Sequence, residues 1–279
     1  MKAGKHRLLP LNLIGLLASG LGGLIVGALL VSSFSAASTS FAFFKPDAAH
    51  PQTTPMQLKA ILHYATSKVV PQQSLAEIRL SFDVLVSIAP CNFLVYGLGH
   101  DSLMWASFNP RGTTLFLEED PSWVIGILKN APSLYARPVK YPTRLSQASS
   151  LLSTYKSEPA CLPGNASLRG NNRCKLALSD LPREVYDKEW DVIMIDAPRG
   201  YFEDAPGRMG VIYSAAVMAR ARKKSGVTHV FLHDANRRVE KAYAEEFLCK
   251  KYLVQGAGRL WHFEIPPALS NDLHAATFC

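Results

Sequence analysis

The sequence predicts an α/β fold, a parallel sheet with helices on both faces, preceded by one transmembrane helix. Three observations carry this. Short apolar runs at 92–96, 113–117, 191–195 and 228–232 alternate with helical patterns, and that alternation builds parallel sheets covered on both sides. The runs at 113–117 and 191–195 are each followed by an acid, the run at 228–232 by His233-Asp234, and the first by Gly97-Leu98-Gly99; in such sheets ligands bind beyond the carboxyl ends of the strands. Residues 8–44 contain no charged side chain.

That uncharged stretch sets the expected compartment. Residues 8–31 are mostly apolar and long enough to cross a hydrocarbon core of ~30 Å at ~1.5 Å per residue. Lys2, Lys5, His6 and Arg7 precede the span, so the positive-inside rule keeps 1–7 as a cytoplasmic tail and sends the remainder across. A cleaved signal peptide is the rival reading, with Ser35-Ala36-Ala37 as the cut, although its apolar region would be shorter. Residues 32–55, rich in Ser, Thr, Ala and Pro, read as a stem, leaving 56–279 as a lumenal domain. This order is that of a type II Golgi membrane enzyme. The cysteines suit an oxidising lumen: Cys161 with Cys174 and Cys249 with Cys279 are the expected disulfides, Cys91 the unpaired core thiol. Asn165-Ala166-Ser167 is a glycosylation acceptor.

Along the domain the spacing predicts a helix over 56–68, then a second from a Ser74 cap with Glu77 at the capping-box position, stopping before Pro90. The strand at 92–96 is followed by a helix over 101–108, the strand at 113–117 by a helix over 122–129. Residues 139–141 read as a short third strand, 147–156 as a helix and 158–174 as a long loop. The strand at 191–195 precedes a helix over 209–223. The strand at 228–232 precedes a helix over 238–248, and 253–254 with 260–265 form a closing hairpin.

The net charge of +8 suits an acidic polymer, anionic lipid or nucleic acid. No zinc-finger or RNP pattern is present, so no nucleic-acid partner is expected. Gly97 and Gly99 lie between strand and helix, where a bare backbone approaches a ligand closely. Asp101 opens the helix and Glu118 ends the next strand, placed to accept ribose hydroxyls. An NAD site carries a third glycine where this chain has Ser102. The two-glycine form suits S-adenosylmethionine, which has no pyrophosphate to hold, in a Rossmann-like sheet.

Methyl transfer to an alcohol needs in-line geometry and a base or metal to take the hydroxyl proton. Asp196 follows four apolar residues, and His233-Asp234 ends the next strand with Asn236 close behind. Asp196, His233 and Asp234 are the expected catalytic residues. Two roles stay open: Asp196, Asp234 and Asn236 as oxygen ligands of a divalent metal, or Asp196 or His233 as a direct base. For the acceptor, Arg199, Arg208, Arg237, Arg238 and Arg259 lie in loops near this edge and suit a carboxylate-bearing sugar, with Tyr201, Trp261 and His262 as sugar-lining candidates.

The run CNFLVYGLGHDSLMW over 91–105 resembles the signature of the plant cell-wall polysaccharide 4-O-methyltransferase family, which holds the glucuronoxylan and arabinogalactan glucuronic acid 4-O-methyltransferases. LFLEED over 115–120, DVIMIDAP over 191–198, APGRM over 205–209 and GRLWHF over 258–263 resemble it too. The likeness covers 56–279. It implies a Golgi enzyme that uses S-adenosylmethionine to methylate the 4-hydroxyl of glucuronic acid. One branch acts mainly on xylan and another on arabinogalactan; residues 58–74 and 156–172 resemble the arabinogalactan branch more closely. A family group needed for xylan assembly departs from the Asp-Ala-Pro and Arg-Leu-Trp-His patterns kept here. The alternatives are a glucuronoxylan 4-O-methyltransferase and a non-catalytic membrane-tethered scaffold for wall synthesis.

Overall fold

The computed structural model describes residues 53–269 and 275–279. The expected tail, the span at 8–31 and the stem as far as residue 52 lie outside them. No helix among the described residues is long and apolar enough to cross a membrane.

Seven strands form one sheet: β1 (Asn92–Tyr96), β2 (Thr113–Glu118), β3 (Tyr135–Pro138), β4 (Val192–Ile195), β5 (Thr228–Leu232), β6 (Leu253–Ala257) and β7 (Leu260–Ile265). Their spatial order is β3-β2-β1-β4-β5-β7-β6. β1 to β5 pair in parallel, while β7 runs antiparallel between β5 and β6. Strand order therefore reverses between β1 and β4, and the splayed connections there open a crevice at the carboxyl edge. The central strands are nearly all buried residues, as expected of strands covered on both faces.

Eight α-helices accompany the sheet among the described residues: α1 (Pro55–Thr66), α2 (Leu75–Ile88), α3 (Ser102–Phe108), α4 (Pro121–Asn130), α5 (Ala148–Thr154), α6 (Arg183–Asp187), α7 (Met209–Arg220) and α8 (Arg238–Tyr243). One face of the sheet packs Phe93, Val95, Phe116, Met194 and Phe231 under α2 and α3. The other packs Leu94, Tyr96, Ile193 and Ile195 under α7, of which ten residues are buried. Local chemistry sets several boundaries. Thr54 and Ser74 each complete a capping box, with Gln57 and Glu77. Asp120 caps α4 by accepting from the Ser122 and Trp123 amides, so the last of the three acids after β2 is a cap.

The structure corrects several boundaries. The third strand is 135–138 instead of 139–141, an edge strand with polar side chains turned outward and Leu115 opposite Tyr135. The α1 and α7 helices stop at Thr66 and Arg220, short of the predicted 68 and 223. The helix predicted over 238–248 is α8 followed by a π turn, Ala244–Cys249. The short helix α6 had no periodic signal. Disulfides join Cys161 to Cys174 and Cys249 to Cys279, and Cys91 is a buried free thiol. Asn165 is exposed.

Candidate functional site

A cleft of about 610 Å³ opens at the β1/β4 switch point. Gly97, Gly99, Asp101, Glu118 and Asp196 all line it. Gly97 follows β1 with φ at +123°, where a side chain is strained, and a Cβ there would meet Ala197 Cβ at 3.4 Å. The turn is closed by Ser102, whose hydroxyl accepts from the Gly99 amide at 2.9 Å. Where an NAD site carries its third glycine, this chain uses a side chain to shape the loop.

Glu118 is buried beside this turn. Its Oε2 accepts from the Leu98 amide at 3.1 Å, and its Oε1 from the Glu119 and Asp120 amides at 2.9 and 3.1 Å. A carboxylate has about four lone-pair positions, so three fixed bonds leave it oriented with capacity to spare. Burial raises its pKa against those three amide bonds. Asp101 points back to Trp105, accepting from its indole N–H at 2.9 Å. Burial, then the charge of Asp196, pushes Asp101 upward. Trp123 of α4 forms one cleft wall and donates to the Leu98 carbonyl at 2.6 Å.

Asp196 stands just past β4. His233 Nδ1 donates to its Oδ1 at 2.8 Å, Arg208 Nη2 lies 3.4 Å from the same oxygen, and Gln73 Nε2 donates to Oδ2 at 3.2 Å. Burial by itself raises this carboxyl. The His233 hydrogen bond, the Arg208 and His233 charges and Gln73 outweigh it and hold Asp196 below the usual carboxylate range. Asp196 faces the cleft, whereas His233 lies behind it, 2 % exposed at the side chain, with Nε2 3.9 Å from Glu77 Oε1.

Asp234 follows in left-handed backbone, φ +57°. Three guanidiniums surround it: Arg259 Nη1 at 2.8 Å from Oδ1, with Arg237 Nη2 at 2.9 Å and Arg208 Nη2 at 3.1 Å from Oδ2. Arg208 is itself buried and spends its donors inward, on the carbonyls of Pro198, His233 and Asp196 at 3.2, 2.6 and 2.7 Å. It ties the ends of β4 and β5 together.

The fold thus redistributes the residues picked out by sequence. Arg199, Arg237 and Tyr201 line the cleft, and Arg199 Nε lies 3.5 Å from Glu119. Arg208 lines it with its donors already committed, so it positions the strand ends in place of gripping substrate. Arg259 supports Asp234 from outside the cleft. Trp261 and His262 do not line the cleft: adjacent residues of β7 point to opposite faces of the sheet, and neither points over its edge. Asn236 is exposed and also outside it. Sequence reasoning missed Gln73, Trp123 and the second role of Glu77. The Glu77 carboxylate caps α2 and also accepts from the Arg259 amide at 2.6 Å. No sequence spacing marks Gln73, because its partner Asp196 lies far along the chain.

The cleft's chemistry fits S-adenosylmethionine. A preoriented carboxylate suits ribose hydroxyls, a bare glycine turn admits close approach, and the volume lies within the ~300–1,000 Å³ range of ligand pockets. It does not fit a divalent metal. Asp196, His233 and Asp234 converge, but both Asp234 oxygens already bind guanidiniums, and a dication would sit among three arginine charges.

Comparison with known proteins finds methyltransferase relatives along most of the chain. Arabinogalactan O-methyltransferase 1 of Arabidopsis thaliana is 61% identical over 261 residues, 90% of each chain. Arabinogalactan O-methyltransferase 2 of the same plant is 57% identical over 272 residues, 94% of each chain. Its glucuronoxylan 4-O-methyltransferase 1 is 48% identical over 208 residues, 75% of this chain and 73% of the relative. Among solved structures, a methyltransferase-like protein from Silicibacter pomeroyi superposes with a TM-score of 0.42 at 16% identity, covering 73% of this chain and 93% of that one. Residues 76–263 match the family described as IRX15/IRX15L/GXM, and this chain belongs to that family.

Proposed function

We propose that this chain transfers the methyl group of S-adenosylmethionine to the 4-hydroxyl of glucuronic acid residues on cell-wall polysaccharide side chains, mainly arabinogalactan. The observation that carries the reading is the graded identity, 61% and 57% to the two arabinogalactan enzymes against 48% to the glucuronoxylan enzyme. It is supported by the meeting of Gly97, Glu118 and Asp196 in one cleft.

The cofactor supplies an electrophilic methyl group on a sulfonium sulfur. The protein's part is to hold, orient and deprotonate. Glu118 would accept a ribose hydroxyl at its remaining lone-pair position, and the Gly97 turn would admit the cofactor against bare backbone. Asp196, ionised and aimed into the cleft, is placed to take the acceptor hydroxyl proton. His233 and Gln73 fix the carboxylate rotamer, and Arg208 keeps its charge. Arg199 and Arg237 at the rim suit the uronate carboxylate, and exposed Tyr201 offers an aromatic face for a sugar ring. We assign the chain to the Golgi membrane as a single-pass type II protein, anchored by 8–31 with its catalytic domain in the lumen. Basic residues before the span, two disulfides and an exposed Asn165 acceptor support that assignment.

The test incubates the full chain with methyl-labelled S-adenosylmethionine and either de-methylated arabinogalactan or de-methylated glucuronoxylan. Label on glucuronic acid of arabinogalactan, with less on xylan, is expected. Label confined to xylan overturns the branch, and label on neither polymer overturns the activity.

A further inference from the structure

A second cluster of chemically active side chains lies away from the cleft, on the face of the sheet that α2 covers. Strand pairing sets His229 of β5 directly opposite Glu264 of β7, and Phe231 opposite His262. With side chains alternating along each strand, His229, His262 and Glu264 share one face. His229 Nδ1 and His262 Nε2 are 3.0 Å apart, and Glu264 Oε1 is 3.8 Å from His229 Nδ1. His229 is the second residue of β5 and His233 follows its end, so about four residues, roughly 13 Å of strand, separate this cluster from the cleft.

We infer that His229, His262 and Glu264 form a binding site for a first-row divalent cation of the zinc class. In tetrahedral zinc coordination, ligand atoms about 2.0–2.2 Å from the ion lie about 3.4 Å from one another, and the two separations of 3.0 and 3.8 Å bracket that value. All three ligand atoms fall within 4.8 Å of one another. Two imidazoles and one carboxylate are a donor set that suits zinc with one position left for water. His262 and Glu264 line a groove between α2 and the β6–β7 hairpin together with Arg79 and Asp83, so the cluster is open to solvent on that side.

The electrostatics agree. Metal ligation needs neutral imidazole. Burial, with the neighbouring His229, takes His262 down to about 4, and burial also lowers His229. Arg222 lies near His229 but pairs with Asp191 at 2.9 Å, so its charge is offset. The rings are also preset. His262 stacks on Phe231 with centroids 4.4 Å apart, and two paired strands fix the ligand backbones. Without a metal, one ring must donate its single N–H to the other. A divalent ion takes the place of that N–H···N bond, the donor ring's proton moving to its other nitrogen so that both imidazoles stay neutral, and clips the antiparallel edge of the sheet to β5.

The test uses the full chain and Co²⁺ as the probe ion, followed by its visible absorption, with Zn²⁺ as competitor. One Co²⁺ per chain with a tetrahedral spectrum, displaced by Zn²⁺, is expected. His229→Asn and Glu264→Gln should each weaken binding by roughly tenfold or more. Glu264→Gln alters a half-exposed side chain, and its fold is checked by circular dichroism. His233→Asn should leave the Co²⁺ spectrum unchanged. Absence of stoichiometric binding in the parent chain, unchanged affinity in both His229→Asn and Glu264→Gln, or loss of the spectrum in His233→Asn each overturns the site.

Discussion

His233 donates from Nδ1 to Asp196 Oδ1 at 2.8 Å, joining the carboxyl ends of two adjacent parallel strands. The histidine is sealed behind the acid, so the carboxylate is the group that meets the cleft. Asp196→Asn keeps the shape and removes the base; kcat is expected to fall by ~10²–10⁴-fold with the KM for S-adenosylmethionine little changed. The sign of the pH effect follows from the depressed carboxyl. Its contribution to stability is present above the ordinary carboxylate range and is lost only as pH falls through its lower folded value. The acid limb of the kcat profile should therefore lie below the ordinary carboxylate range. An acid limb in the histidine range would transfer the base role to His233.

Glu118 behaves in the opposite sense. Burial raises its pKa, so the ionised form needed for ribose hydroxyls is lost earlier on acidification. The KM for S-adenosylmethionine should rise at a higher pH than kcat declines. Glu118→Gln should weaken cofactor affinity by roughly 10–100-fold, the scale of ~1.5–3 kcal/mol for a hydrogen bond to a charged group, measured by calorimetry. Affinity equal to the parent would show that this carboxylate does not hold the cofactor.

Asp234 is the counter-charge to three guanidiniums and sits in left-handed backbone, which asparagine tolerates. Asp234→Asn therefore isolates the charge. Removing one partner of a buried ionic cluster costs about 3–5 kcal/mol, so denaturant unfolding should show a loss of that size. A loss below about 1 kcal/mol, the scale of an exposed ion pair, would mean the cluster is solvent-screened.

The two disulfides close loops of sequence separation 13 and 30. Chain-entropy arguments give about 3 and about 4 kcal/mol respectively. Cys161→Ser/Cys174→Ser and Cys249→Ser/Cys279→Ser should each lower the unfolding midpoint, the second pair more. An equal or reversed order would indicate that native packing outweighs loop closure.

Local patterns carried most of the architecture. The buried runs of β1, β2, β4 and β5, the capping boxes at Thr54 and Ser74 and the turn after β1 are written within a few residues, so spacing alone exposes them. The strand at 135–138 was harder, because an edge strand buries one residue and shows no alternating apolar signal. Gln73 and Glu77 carried no site signal at all. Their partners, Asp196 and the Arg259 amide, are distant in sequence, and only the packing of α2 against the sheet brings them together.

The sequence by itself determined the α/β fold, the glycine turn, the acids at the strand ends and the family, since each rests on residues close together in the chain. The tertiary structure decided what each charged group does. It turned Arg208 inward, set His233 behind Asp196 and ringed Asp234 with guanidiniums. It also turned Trp261 and His262 away from the cleft. The physical reason is that a side chain's role depends on which donors and acceptors converge on it across strands, and that convergence is a property of packing, not of sequence order.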